Sequence, residues 1–145
     1  AHDYAIERPG VHRTMTLVMA KDRSAAGIRE ALDAGRTVVW SSKYLFGKEE
    51  NVRALAHACL AFSPSYHEKT NGKTQDKTKY YEIKNNSDLY FELELKQGKG
   101  TKRLVLYPES TQILTAEAGQ QKLSYEIVST YIRSDKHLQF EINLK

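Results

Sequence analysis

Apolar positions along the chain follow one period before residue 63 and another after residue 79. Met15-Thr16-Leu17-Val18-Met19-Ala20 is a short apolar run without alternation, which predicts a strand buried on both faces. Ala25, Ile28, Ala31 and Leu32 then recur at helical spacing. Ser24 offers an N-cap hydroxyl ahead of them, and Gly35 a left-handed stop behind them. Thr37-Val38-Val39-Trp40 is again apolar and β-branched, completing a strand-helix-strand unit for which a right-handed parallel crossover is expected. One crossover cannot bury both faces of its sheet, so the unit calls for further neighbours. A second helix is predicted over 48–62, with Glu49 and Glu50 in its first turn, where the helix dipole favours carboxylates. Val52, Leu55, Ala56, Cys59 and Leu60 line one side of it, and His57 lies off that stripe.

Ser63-Pro64-Ser65 interrupts this pattern, and His67 to Thr78 contains no aliphatic or aromatic side chain. Such a run has nothing to offer a core, so 63–78 reads as a linker. Asn71-Gly72 has hairpin chemistry, but strand-forming residues do not flank it closely. From Tyr80 the period becomes two. Leu89, Phe91, Leu93 and Leu95 alternate with Tyr90, Glu92, Glu94 and Lys96. Leu104 and Leu106, then Leu123, Tyr125 and Ile127, then Leu138, Phe140 and Ile142 repeat the pattern between polar turns. About six short strands at that spacing predict an antiparallel sandwich. The Cys-Trp-Cys core of antibody domains is absent, so the likeness is one of architecture, immunoglobulin-like. The fold class is therefore α+β, a short strand-helix-strand-helix piece followed by a small antiparallel immunoglobulin-like β-sandwich.

Composition narrows the function classes. The 22 basic and 18 acidic residues are interspersed, as in Glu92-Leu93-Glu94-Leu95-Lys96, which reads as a solvated face and argues against a nucleic-acid partner. No apolar stretch is long enough to span a bilayer, so no membrane partner is expected. Cys59, the lone cysteine, excludes an internal disulfide and reads as a small buried apolar side chain, which leaves the compartment open.

The segment from Arg13 to Glu50 carries more than periodicity. His12-Arg13-Thr14-Met15-Thr16-Leu17-Val18-Met19-Ala20-Lys21-Asp22-Arg23-Ser24, then Gly27-Ile28-Arg29-Glu30-Ala31-Leu32-Asp33-Ala34-Gly35-Arg36-Thr37-Val38, then Leu45-Phe46-Gly47-Lys48-Glu49-Glu50, resembles the C-terminal region of bacterial PHP-domain proteins. These are phosphoesterase-like relatives of the polymerase-associated and histidinol-phosphatase enzymes. Members of the group often carry a small β-domain that opens with a phrase much like Glu82-Ile83-Lys84-Asn85-Asn86-Ser87-Asp88. The resemblance implies that residues 1–62 are the end of a β/α barrel, 63–78 a linker and 79–145 an accessory β-sandwich. It also implies a parent that is a metal-dependent phosphoester hydrolase, using divalent Zn or Mn held by His, Asp and Glu.

In that family an Asp-x-His motif shortly precedes the Arg-x-Met-Thr-Leu-type strand. The resemblance places His2 at its histidine, as a remnant metal ligand, while the aspartate would lie before Ala1. With that aspartate and the other ligands of the family lying upstream, these residues supply at most one ligand where a catalytic site uses three or more. No cofactor is therefore expected in the fragment itself. Its expected role is a non-catalytic C-terminal module, giving structural support to an upstream PHP barrel of the same chain or mediating self-association as a homo-oligomer.

No catalytic constellation stands out among the remaining residues. Glu49 and Glu50 are sequence neighbours and so point to different sides of a helix. Gly98-Lys99-Gly100-Thr101-Lys102 lacks the spacing of a phosphate loop. His12, His67 and His137 are scattered over three segments. The nine tyrosines mostly fall in the β-domain, and Tyr90 alternates opposite to Leu89 and Phe91, so it should point outward as a binding residue. An independent carbohydrate- or protein-binding sandwich is the alternative function, against the simpler use of tyrosine as a strand former.

Overall fold

The computed structural model describes residues 13–70, 77–97, 100–117 and 119–144. Strand β1 (Met15–Val18) leads to helix α1 (Ala25–Asp33), then β2 (Thr37–Ser41), β3 (Tyr44–Gly47) and helix α2 (Glu49–Cys59). From there the elements among the described residues are strands: β4 (Leu60–Phe62), β5 (His67–Thr70), β6 (Lys77–Asn85), β7 (Phe91–Gln97), β8 (Gly100–Leu106) and β9 (Thr111–Glu117). Strands β10 (Lys122–Ile127), β11 (Thr130–Tyr131) and β12 (Leu138–Asn143) complete it.

Two antiparallel sheets make the sandwich. One runs β12-β10-β7-β8, and the other centres on β6, paired with β4 and β5 and also with β9. Their facing sides are apolar: Phe91, Leu93, Leu106, Leu123, Ile127 and Leu138 are 0% exposed in the first, Ile83 and Leu114 in the second. Each alternate residue predicted to point inward does so, because a strand covered on one side must bury every second side chain. Buried Asn85 holds the connection into β7, its Nδ2 donating to the carbonyls of Leu89 (2.6 Å) and Tyr107 (3.0 Å).

A third sheet, β1-β2-β3-β11, joins the α/β region to the sandwich. The two-residue strand β11 leaves the sandwich and pairs in parallel with β3, Thr130 beside Leu45 and Tyr131 beside Phe46. The Leu45 amide also donates to the Ser129 carbonyl at 3.0 Å. Helix α2 packs under this sheet and against β12, with Arg53 Nη1 donating to the Gln139 carbonyl (2.8 Å) and His57 4.9 Å from the Phe140 ring. Gly47 makes the approach possible, since a Cβ there would meet the Thr37 carbonyl at 3.2 Å and Val52 Cγ2 at 3.3 Å.

Several sequence expectations change. The strands flanking α1 are antiparallel, not parallel: Met15 pairs with Trp40 and Val18 with Thr37. Arg36 is the reason. Its carbonyl accepts from the Met19 amide at 3.0 Å, its Nε donates to the Met19 carbonyl at 3.2 Å, and its guanidinium pairs with Glu30. The excursion through α1 thus returns to the end of β1 from which it left. Antiparallel pairing also suits a sheet covered on one face, as this one is. Strand β1 is consequently an edge strand rather than a strand buried on both faces, with Met15 39% exposed. Ser24 does cap α1, its Oγ accepting from the Gly27 amide at 3.0 Å, and Gly35 takes φ 65°. Yet Ile28 and Leu32 on the predicted stripe are exposed, and only Ala31 of that helix is buried.

Helix α2 stops at Cys59, where Leu60 becomes extended and starts β4. The expected linker also holds structure: β5 pairs with the start of β6, from His67 against Tyr80 to Thr70 against Lys77. Backbone pairing needs no apolar side chains at a sheet edge, which is why composition alone missed it.

Candidate functional site

Outward-facing residues of β7 and β8 form a polar-aromatic patch on the sandwich surface. The register sets Glu92 beside Val105 and Glu94 beside Arg103, so the residues between the buried leucines fall in two adjacent rows. Tyr90 and Tyr107 stand at the head of these rows, their rings edge to face at 5.7 Å. From the α/β region the Ser42-Lys43 turn between β2 and β3 reaches over them, with Ser42 at φ 53° closing the turn. Lys43 Nζ lies 5.8 Å from the Tyr90 ring centre and 5.4 Å from that of Tyr44.

Glu92 is the centre of the patch. It is 8% exposed, a buried carboxylate that needs partners, and it has them. Oε1 meets Arg103 Nη1 at 2.9 Å, Oε2 accepts from the Tyr90 hydroxyl at 3.0 Å, and Lys43 Nζ stands 3.9 Å from Oε2. Arg103 forks, its Nη2 reaching Glu94 Oε1 at 2.7 Å. Burial, reinforced by the Glu92 carboxylate, pushes the Tyr90 phenol up to about 12. Tyr90 is therefore half-buried and committed to Glu92, and the solvent-facing aromatic is Tyr107, 61% exposed. The period-two phase of β7 identified Tyr90. Nothing local in the sequence pointed to Lys43, which comes from a turn far away in the chain.

A second aromatic group lies on the outer side of the third sheet. Phe46 stacks on Tyr131 at 5.2 Å with 10° between their planes, Tyr44 meets Tyr131 edge-on at 5.7 Å, and the His137 ring sits 4.7 Å from Tyr131. His137 Nδ1 is 2.6 Å from the Thr130 carbonyl, so it belongs to this group. His67 sits elsewhere, 5.4 Å from the Tyr80 ring.

His2 and His12 lie outside the described residues, and among the described residues no three His, Cys, Asp or Glu come together as a ligand set. Cys59 is buried against Ser87, and burial raises its thiol above the ordinary range. No described helix is long and apolar enough to cross a membrane.

A model of the Ig-like domain family DUF5001 matches residues 60–143. The chain belongs to this Ig-like domain family. Its first matched residue is the start of β4, so the matched Ig-like domain includes the β4, β5 and β6 pairing as well as the later strands. A solved structure is also similar, a two-domain protein containing a predicted PHP-like metal-dependent phosphoesterase from Bacteroides vulgatus ATCC 8482. The identity is 27% and the TM-score 0.75, over 92% of this chain and 39% of that one. The chain thus spans about two-fifths of the length of that protein. No curated protein matches.

Proposed function

We propose that this chain is the non-catalytic C-terminal module of a PHP-type metal-dependent phosphoesterase, an Ig-like domain with an α/β region that braces the catalytic domain. The observation that carries the reading is the extent of the likeness. It covers 92% of the chain, more than the Ig-like stretch of 60–143 accounts for, so it reaches well into the α/β region. In this reading the divalent metals, zinc or manganese, and the phosphoester chemistry belong to the upstream domain. The described residues offer no ligand set through which a metal-assisted step could be written.

The test is turnover of an aryl phosphate with added manganese or zinc. The 145-residue protein should give no hydrolysis above the metal-only control, and a longer polypeptide carrying the PHP-like domain should give metal-dependent turnover. Robust hydrolysis by the 145-residue protein alone would overturn the reading.

A second reading rests on Tyr107, whose exposed ring stands edge to face with Tyr90 and suits stacking against a sugar ring. Binding to a glycan panel that is lost in Tyr107→Ala and weakened in Tyr90→Ala would favour it. Unchanged binding in both variants would dismiss it.

A further inference from the structure

Strand register places Thr16, Val39, Phe46 and Tyr131 side by side across β1, β2, β3 and β11, all on the face turned away from α2. Burial differs sharply between the two sides of this sheet. Val38 and Leu45 on the inner side are 0% and 1% exposed, whereas Val39 and Phe46 on the outer side are 36% and 38% exposed. The apolar strip continues beyond the sheet. At one end Thr16 and Val18 share a cleft with Ile28 of α1, itself 40% exposed, and Lys21, Asp22 and Arg23 also line this cleft. At the other, Phe46 and Tyr131 line a second cleft with Ile132.

We propose that this strip is the seat of the PHP-like domain within the same polypeptide. The inference rests on the proposed function and adds the surface through which it operates. Three observations favour that occupant. Every residue of the strip except Tyr131 and Ile132 lies before residue 60, outside the Ig-like match and within the region that only the likeness to the two-domain protein can reach. The rest of that protein, about three-fifths of its length, lies outside the match with this chain and supplies a domain to cover such a face. Finally, the aromatic centre is already ordered. Phe46 is stacked on Tyr131, and Tyr44 and His137 brace it, so little side-chain freedom is lost when a partner covers it.

Hydroxyl-radical footprinting reads this surface directly, because it oxidises exposed aromatic rings. Compared with the 145-residue protein, a polypeptide that also carries the PHP-like domain should oxidise Phe46 and Tyr131 several-fold more slowly. Tyr107, exposed on the sandwich and off the strip, should be unchanged and serves as the internal control. Phe46→Glu, or Val39→Lys should the first variant fold poorly, should restore fast oxidation of Tyr131 in the longer polypeptide. Equal oxidation of Phe46 and Tyr131 in both proteins overturns the inference, and metal-dependent turnover by the same longer polypeptide would still leave the proposed function standing. If light scattering finds the 145-residue protein dimeric and Phe46→Glu makes it monomeric, a second copy is the occupant and the inference falls.

Discussion

The Ig-like domain and the α/β region solve the burial problem in opposite ways. In the sandwich, two sheets face each other, and the inward side chains at their centre disappear completely, from Phe91 and Leu93 to Leu123 and Leu138. The α/β region covers one side of its sheet with α2 and leaves the other side open. Five of the eight exposed large hydrophobics among the described residues, Met15, Ile28, Leu32, Val39 and Phe46, lie in this region, Val39 and Phe46 on the open face. A domain that closes its own core can carry a satellite that does not. The satellite is held by β11, a sandwich strand lent to another sheet, and offers its remaining apolar face to something else.

That contrast can be broken by mutation. Phe91→Ala, at a position 0% exposed, should cost about 3–5 kcal/mol in chemical denaturation. Val39→Ala on the open face should stay within about 0.5 kcal/mol, and a cost near that of Phe91 would mean the outer face is packed. Leu45→Ala sits between them in location. It is 1% exposed and lies on the strand that meets β11, and it should cost about 2–5 kcal/mol.

Glu92→Gln should destabilise by about 1–3 kcal/mol, because Arg103 and Lys43 lose the carboxylate they share. The same change should lower the Tyr90 phenol only part of the way toward its ordinary 10.0, since burial is the larger cause of its rise. Tyr125, buried in the core, is likewise pushed up to about 12. Both phenols are raised in the folded state, so their contribution is intact below the unfolded value near 10.0 and is lost as pH climbs toward 12. Absorbance of tyrosinate against pH should show two late-titrating groups, and Tyr125→Phe should remove one. A smaller effect is expected of Ser24→Ala, about 1 kcal/mol from the lost cap of α1.

The sandwich was largely legible in the sequence because alternation is local and half-burial forces it. Leu89, Phe91, Leu93 and Leu95 announced their face without knowledge of any partner strand. The α/β region was legible only piecewise. Ser24 and Gly35 marked the ends of α1 through their own chemistry, but no short apolar run states which neighbour it pairs with or in which direction. Hence the pairing of β1 with β2 was reversed, and β3 was not read as a strand. The β5 and β6 hairpin was hidden for another reason, since it is held by backbone hydrogen bonds between polar residues. Of the candidate site, Tyr90 could be placed by its phase. Lys43, over its ring, comes from a distant turn, and Arg103, paired with Glu92, from the neighbouring strand, and only the fold brings them together.

The attachment of the open region to the closed one is tested most directly by comparing two probes of unfolding. Trp40 is the only tryptophan and sits in β2, so its fluorescence reports the α/β region, while near-ultraviolet circular dichroism of buried Tyr81 and Tyr125 reports the sandwich. Joined through β11, both should unfold at the same denaturant midpoint in one transition. A Trp40 transition that finishes while the tyrosine signal remains native would contradict the account.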